Sequence, residues 1–161
     1  MKKRWISLLV ENDIGVLARI SGLFSGKLYN LDSLTVGVTE DAAISRMTIG
    51  LTSDDKTFEQ IKKQLNRSIE VIKVIDFTDI AIHRKELMFV KIYECSSKDR
   101  IRLHNISEIF SVKWIDYNQS TIMLEGVQTE EENNALIKML EENFDGKIKL
   151  VRGGSVAMEA I

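Results

Sequence analysis

The hydrophobic spacing of the chain changes in the same order twice, and this repeated order constrains the fold more than any other feature. In the first half, strand-like runs occupy residues 4–10, 31–39, 44–51 and 69–77. Helix-like spacing follows the first and the third of these runs. Alternation with a period of two is typical of a half-buried strand, and spacings of three and four residues are typical of an amphipathic helix. The first half is therefore predicted to fold in the order βαββαβ.

Each predicted helix of this half has a single apolar face. The first helix follows Asn12-Asp13-Ile14-Gly15, a stretch of turn and capping residues that ends the first strand. The second helix begins at Ser53-Asp54-Asp55, whose side chains can cap it. The apolar faces are predicted to comprise Leu17, Ile20, Phe24 and Leu28 in the first helix, and Phe58, Ile61 and Leu65 in the second.

The second half repeats this order. Its strands are predicted at residues 86–94, 112–117, 121–127 and 147–151. A helix that opens at Ser96-Ser97 is expected to turn Ile101, Ile106, Ile109 and Phe110 inward, and a helix capped by Thr129 carries Leu136, Leu140 and Phe144. The predicted fold class is therefore α+β, with two tandem ferredoxin-like βαββαβ domains. The domains are predicted at residues 1–77 and 86–161, with a linker at 78–85.

A sheet of this kind has two helices on one face and leaves its other face without a partner. The exposed apolar face and the open sheet edge both favour association with another surface. In a chain of 161 residues, a second copy is the simplest such surface. We therefore expect a homodimer.

Composition excludes several classes of partner. The net charge of −2 indicates neither a basic surface for nucleic acid nor an acidic tail. The chain has no apolar run of about 18 residues that could span a membrane, and the apolar stretch near the start stops at Glu11, too early for a secretion signal. Cys95 is the only cysteine, so no internal disulfide can form. We expect a cytoplasmic protein without nucleic-acid or membrane partners.

Residues that could perform catalysis are scattered. His83, His104 and Cys95 do not have the spacing of metal ligands, and no phosphate-binding loop or dinucleotide fingerprint is present. The acidic runs fall at helix starts or on solvent faces, where a solvated charge explains them. The sequence therefore predicts no catalytic residue, no metal site and no cofactor.

One segment, residues 11–24, has the chemistry of a ligand site. A strand ends, Asn12 and Asp13 follow, and Gly15 opens a helix, whose free backbone N–H groups attract a carboxylate. Gly15 allows a ligand to approach the backbone closely, and Asp13 can face an ammonium group. Ile14, Val16 and Leu17 can offer apolar contact. The alternative is a helix cap without a ligand.

The pattern Asn-Asp-x-Gly-x-Leu at this turn resembles the amino-acid-binding ACT domain. Most of the chain is similar to one family, the regulatory small subunit of acetolactate (acetohydroxyacid) synthase. The similar stretches are residues 10–25, 29–37, 45–49, 60–66, 86–92 and 108–110, and the pair Arg152-Gly153. Each stretch is short, but their order over nearly the whole chain is specific.

The resemblance implies a subunit without catalytic residues. It implies a partnership with a thiamine-diphosphate-dependent catalytic subunit, whose activity the small subunit raises, and feedback inhibition by a branched-chain amino acid, typically valine. The family's effector site lies between two ACT domains of a dimer, which places Asn12, Asp13, Ile14, Gly15, Val16 and Leu17 of one chain opposite Asn30 and Leu31 of the other. Two alternatives remain open: an ACT regulator of another enzyme or promoter, and a small enzyme on a ferredoxin-like scaffold.

Overall fold

The computed structural model describes residues 1–26 and 29–161. The elements of the first half are β1 (Lys2–Glu11), α1 (Val16–Ser25), β2 (Leu31–Val38), β3 (Ile44–Ser53), α2 (Asp55–Leu65) and β4 (Val71–Asp76). Those of the second half are β5 (Ile82–Ile92), α3 (Ser97–Phe110), β6 (Lys113–Tyr117), β7 (Ile122–Gln128), α4 (Glu130–Asn143) and β8 (Ile148–Glu159). The predicted βαββαβ order is confirmed in both halves, and each half forms one four-stranded sheet.

The chain divides into two compact units that differ in extent from the predicted domains. The first unit comprises residues 1–83 and 155–161, and the second comprises residues 84–154. Strand β5 begins at Ile82, inside the predicted linker, and β8 continues past the predicted end at residue 151. Among the helices of residues 1–26 and 29–161, none is long and apolar enough to cross a membrane.

The first unit has the sheet order β2-β3-β1-β4 with antiparallel pairing throughout. Alternate residues of β1 point toward the helices, because successive side chains of a strand face opposite sides. The buried layer comprises Ile6, Leu8 and Val10 from β1, Met47, Ile49 and Leu51 from β3, Val16, Ile20 and Phe24 from α1, and Phe58, Ile61 and Leu65 from α2. Each such side chain contributes about 1.5–3 kcal/mol on burial.

The apolar face of α1 differs from the prediction. Val16, Ile20 and Phe24 are buried at intervals of four residues, whereas Leu17 is 44% exposed. Leu28, which was also predicted on this face, lies outside the described residues. The face is therefore shifted by one position at the start of the helix, and Leu17 is left at the surface.

The second face of the first sheet is covered in part by residues 155–161. Ser155 and Ala157 are buried, and Ala157 packs against Trp5 of β1. Thr35 of β2 donates a hydrogen bond through Oγ1 to the Ser155 carbonyl oxygen at 3.0 Å. The sequence predicted that this face would need a second copy of the chain to cover it. The structure shows that residues 155–161 of the same chain, which belong to the first unit, cover part of it.

The second unit has the sheet order β6-β7-β5-β8 and its own core. That core comprises Met88, Val90 and Ile92 from β5, Ile122 and Leu124 from β7, Leu103 and Ile106 from α3, and Leu136, Leu140 and Phe144 at α4. The prediction that Ile101 and Ile109 face inward is wrong, because they are 67% and 74% exposed. Ser107 is buried instead, where it accepts a hydrogen bond from the Trp114 indole at 2.8 Å and donates one to the Leu103 carbonyl oxygen at 2.8 Å.

A buried ion pair joins β5, β8 and α4 in this unit. Glu86 is 4% exposed and accepts hydrogen bonds from Nε and Nη2 of Arg152 at 3.0 and 2.7 Å. Asn133, fully buried, donates its Nδ2 to Glu86 Oε2 at 3.0 Å. Burial alone would raise the pKa of Glu86, but the hydrogen bonds from Arg152 and Asn133 outweigh it and hold that pKa below its ordinary value. The carboxylate therefore stays ionised inside the protein.

Candidate effector-binding site

The turn between β1 and α1 ends in a glycine with an unusual backbone. Gly15 is the N-cap of α1 with φ 83° and ψ −5°, in the left-handed region that glycine adopts without steric cost. It has no side chain that could cap the helix, and the first turn of α1 contains no acidic residue. The backbone N–H groups at this helix start and the positive end of its dipole are therefore open to an anion from outside.

The other three helices of the described chain begin differently. Asp54, Ser96 and Thr129 cap α2, α3 and α4 by accepting hydrogen bonds from Thr57, Asp99 and Glu132 backbone N–H groups, respectively. Each of these helices also carries an acidic residue in its first turn. The start of α1 is thus the one among them without a side-chain cap and without an acidic residue in its first turn.

Asn12 holds the turn in place through both ends of its side-chain amide. Its Nδ2 donates to the Ala42 carbonyl oxygen at 2.9 Å, and its Oδ1 accepts from Ser45 Oγ at 3.0 Å. Its backbone N–H also donates to the Ala43 carbonyl oxygen at 2.8 Å. Asn12 was predicted as an effector-binding residue, and in this structure its polar atoms tie the β1–α1 turn to the β2–β3 turn.

Asp13 organises the first residues of the helix. Its Oδ1 accepts a hydrogen bond from the backbone N–H of Ile14 at 2.7 Å, and its carbonyl oxygen accepts one from Val16 at 3.3 Å. The residue is exposed, so its carboxylate can also face an ammonium group from outside. Asp13 therefore orders the turn before α1, whereas the side-chain cap that the sequence predicted as the alternative to a ligand site is not made at this helix start.

The apolar residues of the segment separate into two groups. Ile14 is 93% exposed and Leu17 is 44% exposed, so both can contact a ligand above the helix start. Val16 is only 2% exposed and belongs to the core of the first unit. An effector at this turn can therefore reach the side chains of Ile14 and Leu17, whereas Val16 can offer only backbone atoms.

Arg19, which was not among the predicted site residues, lies beside Gly15. Its Nη1 would lie 2.9 Å from a Cβ placed on Gly15, and its Nε pairs with the carboxylate of Glu70. The side chain is about half exposed, so the cation is accessible next to the helix start. Its spacing of four residues from Gly15 was the only sequence feature that pointed to it, because residues four apart lie on the same face of a helix.

The two halves of the predicted site are far apart within one chain. Strand register pairs Leu31 with Leu51, which pairs with Arg4 at the far end of β1. The turn that follows Glu11 is seven residues further along β1, or about 23 Å at the usual strand rise. One chain therefore does not bring Asn30 and Leu31 to the start of α1.

Other reactive residues of the described chain have ordinary environments. Cys95 is buried, and burial raises the pKa of its thiol, which disfavours the nucleophilic thiolate. The ring of His104 packs edge-on against Trp114 at 6.4 Å between centroids. Within residues 1–26 and 29–161, no group of three or more His, Cys, Asp and Glu side chains is arranged to hold a metal ion.

Comparison with known proteins places both halves of the chain in one family. Residues 6–73 match the family described as "AHAS small subunit-like ACT domain", and residues 85–161 match "Small subunit of acetolactate synthase". The acetolactate synthase small subunit of Aquifex aeolicus is 41% identical over 158 residues, which are 98% of this chain and 81% of that relative. The isozyme 3 small subunit of Escherichia coli is 35% identical over 161 residues, with coverage of 96% and 98%.

A solved structure agrees with this assignment. The crystal structure of the acetolactate synthase small subunit from Thermotoga maritima matches with a TM-score of 0.87 and 29% sequence identity, covering 100% of this chain and 99% of that one. The family resemblance and the ACT fold inferred from the sequence are confirmed. The chain therefore belongs to the family of acetolactate synthase small subunits, and its ACT domain indicates a regulatory, non-catalytic role.

Proposed function

We propose that the protein binds a branched-chain amino acid, with valine as the preferred effector, at the start of α1, and that this binding inhibits a partner catalytic subunit. In the absence of effector, the protein raises the activity of that thiamine-diphosphate-dependent subunit. The observation that carries the proposal is the open N-terminus of α1, where Gly15 leaves the backbone accessible and Arg19 adds a cation.

The effector's carboxylate binds at this helix start. Backbone N–H groups of the first turn donate to it, and the helix dipole favours a negative charge there. The Arg19 guanidinium, which lies against Gly15, adds a second positive group on the same side. Asp13, exposed at the turn, is available to the effector's ammonium group.

The effector's aliphatic side chain contacts Ile14 and Leu17, which are exposed above the turn. Leu31 and Asn30 of a second chain complete the pocket in a homodimer. A pocket of this kind discriminates a missing methylene by about 1–3 kcal/mol, so valine binds more tightly than alanine.

Dimerisation is supported by the sheet edge. Strand β2 is at one end of the first sheet, and Val36 and Val38 on it are 49% and 60% exposed. An open edge with apolar residues favours pairing with a second copy of the same strand. Light scattering at micromolar concentration should give the mass of a dimer or a larger assembly, and the mass of a monomer would contradict this part of the proposal.

The variant Gly15→Asp tests the site. An added carboxylate repels the effector's carboxylate at short range and can pair with Arg19. Asp tolerates a positive φ better than most residues, so the turn is expected to survive. Gly15→Asn is the matched control, because it tolerates the same backbone without a negative charge. In acetolactate production by the reconstituted enzyme, Gly15→Asp should lose valine inhibition and keep activation, while Gly15→Asn keeps part of the inhibition.

Two outcomes of this experiment would contradict the proposal. A wild-type inhibition curve for Gly15→Asp means that the effector binds elsewhere. Loss of activation together with inhibition means that position 15 serves the fold or the contact with the catalytic subunit. Asn30→Ala should weaken inhibition less than Gly15→Asp, because it removes hydrogen bonds without adding repulsion.

A further inference from the structure

Residues 155–161, here called the strap, lie on the second face of the first sheet with an inverted pattern of burial. Ser155 and Ala157 are buried, whereas Val156 and Met158 between and after them are 59% and 61% exposed. This alternation is that of a strand, in which one side of the chain faces the sheet. A strand that covers a core usually turns its apolar side inward. The strap instead buries its small and polar side and leaves its apolar side at the surface.

The part of the sheet face that the strap approaches is polar as well. Ser7 of β1 points to this face, because its neighbours in the strand belong to the helix-covered core. Ser7 pairs with Thr48 of β3, and Thr48 pairs with Thr35 of β2. Ser7 and Thr48 are buried, yet Ser7 Oγ has no hydrogen-bond partner, and neither has the buried Oγ of Ser33 on β2. A buried hydroxyl without a partner costs free energy that contact with water would recover.

One small apolar cluster anchors the strap. Ala157 contributes a single methyl group to it and packs with Trp5 and Phe77, which are also buried. Ile75, which pairs with Ser7, packs against the same cluster. The stabilisation gained by burial grows with the apolar area removed from water, so a methyl group gains little.

Two polar contacts connect the strap to β2 and β3. Thr35 Oγ1 donates to the Ser155 carbonyl oxygen at 3.0 Å. The Arg46 guanidinium lies 4.0 Å from the Glu159 carboxylate, and both side chains are partly exposed. A partly exposed ion pair of this length stabilises little, because water screens it. The strap is therefore held on the sheet by weak contacts over a face that tolerates water.

We propose that the strap opens reversibly from the first sheet while the rest of the first unit stays folded. The closed state is favoured because it buries Trp5 and Ala157. The open state is accessible because water then satisfies the Ser7 hydroxyl and the polar face around it. The ACT domain thus has two conformations, and a molecule that binds one of them better shifts the population. This device does not depend on the proposed effector site.

Thiol labelling of the full chain measures the opening. Ser7→Cys places a thiol under the strap, and Val10→Cys places one on the same strand in the helix-covered core, where both native residues are fully buried. A thiol forms weak hydrogen bonds, so the probe itself does not favour the open state. With excess reagent, peptide mass spectrometry should show Ser7→Cys reacting about 100-fold faster than Val10→Cys, and about tenfold or more slowly than the same thiol in urea-unfolded chain.

Two results of this measurement overturn the proposal. Equal rates for Ser7→Cys and Val10→Cys mean that the face opens only when the whole unit unfolds. A rate for Ser7→Cys equal to that of the unfolded chain means that the strap does not close over the face at all.

A matched pair of substitutions tests whether the strap controls the exposure. Ala157→Asp adds a carboxylate on the buried side of the strap and should raise the labelling rate of Ser7→Cys about tenfold or more. Val156→Asp adds the same charge on the exposed side and should leave that rate unchanged. Val10→Cys, and the native Cys95 in the second unit, should keep their rates in both variants. Equal effects of the two substitutions on Ser7→Cys, or a matching rise for Val10→Cys in Ala157→Asp, overturn the proposal.

Discussion

The turn before α1 and the turn before α3 occupy the same place in the repeated βαββαβ order, yet only the turn before α3 caps its helix with a side chain. Gly15 leaves the start of α1 without a side-chain cap. Ser96 and Asp99 form a reciprocal capping box at the start of α3, in which Ser96 Oγ accepts from the Asp99 N–H at 3.2 Å and Asp99 Oδ2 accepts from the Ser96 N–H at 2.9 Å. The fold alone therefore does not make a ligand site.

The difference is electrostatic as well as steric. The Ser96 backbone and hydroxyl donate to the Asp99 carboxylate and lower the pKa of Asp99, so a negative charge remains at the start of α3 at neutral pH. That charge compensates the helix dipole and repels an external carboxylate. At the start of α1, the first turn contains no acidic residue, and the Arg19 cation lies beside Gly15. In the proposed site, this position binds an anion in the first unit, whereas the Asp99 charge repels one at the same position in the second.

The largest effect on stability is expected in the second unit, for the variant Arg152→Leu. This variant leaves the buried Glu86 carboxylate without its cation, and we expect a loss of about 3 kcal/mol, at the low end for a broken buried pair because Arg152 is 29% exposed. Amide hydrogen exchange should show the loss in the second unit, with valine affinity unchanged. The double variant with Glu86→Leu should recover much of it.

The Glu86–Arg152 pair stabilises the second unit in a pH-dependent way, and the sign of this dependence follows from the lowered pKa of Glu86. In the wild type, the pair stabilises the folded state above the ordinary pKa of a glutamate, and this stabilisation is lost as the pH falls through the lowered folded value. In Arg152→Leu, this acid-dependent loss should be absent. An equal acid response in the two proteins would show that the pair does not stabilise the second unit.

The next largest effect is expected when α1 is given an acidic residue in its first turn, as α3 has, in Ala18→Glu. The substitution adds an acidic residue to a first turn that has none, at an exposed position. It should stabilise α1 by about 0.3–1 kcal/mol and weaken valine binding about tenfold. The valine affinity measured by calorimetry should therefore fall, while the temperature of thermal unfolding should rise. Ala18→Gln is the neutral control, and equal weakening in both variants would exclude the electrostatic explanation.

The smallest effect is expected when the side-chain cap of α3 in the second unit is removed, in Ser96→Ala. Loss of the cap hydroxyl should cost about 1 kcal/mol of stability in the second unit. Valine inhibition should be unchanged, because the effector site is in the first unit. Urea unfolding and the inhibition curve measure the two quantities, and Ser97→Ala, one residue further into α3, is the matched control. A changed inhibition curve would mean that the two helix starts are not independent.

The sequence predicted the element order because hydrophobic periodicity is a local property. The apolar face of α2 at Phe58, Ile61 and Leu65 is confirmed, since the spacing of a regular helix determines which side chains share a face. The same reasoning failed on α3, where Ile101 and Ile109 were expected inside. Ser107 occupies a buried position there because Trp114 and Leu103 satisfy its hydroxyl, and no periodicity of apolar residues reports such a partner.

The candidate site was predicted in part. Gly15 is visible in the sequence because turn chemistry lies within a few neighbouring residues. Arg19 was missed, since its side chain is placed by Glu70, far along the chain. The hydrogen bonds of Asn12 to Ala42 and Ser45 could not be predicted either, because they depend on the register between β1 and β3.

The sequence by itself determined the repeated order of strands and helices, the glycine at the start of α1 and the family. These follow from periodicity, turn residues and short stretches in a constant order, all of which are read along the chain. Only the tertiary structure decided that residues 155–161 pack in the first unit and that Val16 is buried while Ile14 is exposed. The reason is that burial and hydrogen-bond satisfaction depend on residues distant in the chain, whose approach is set by packing.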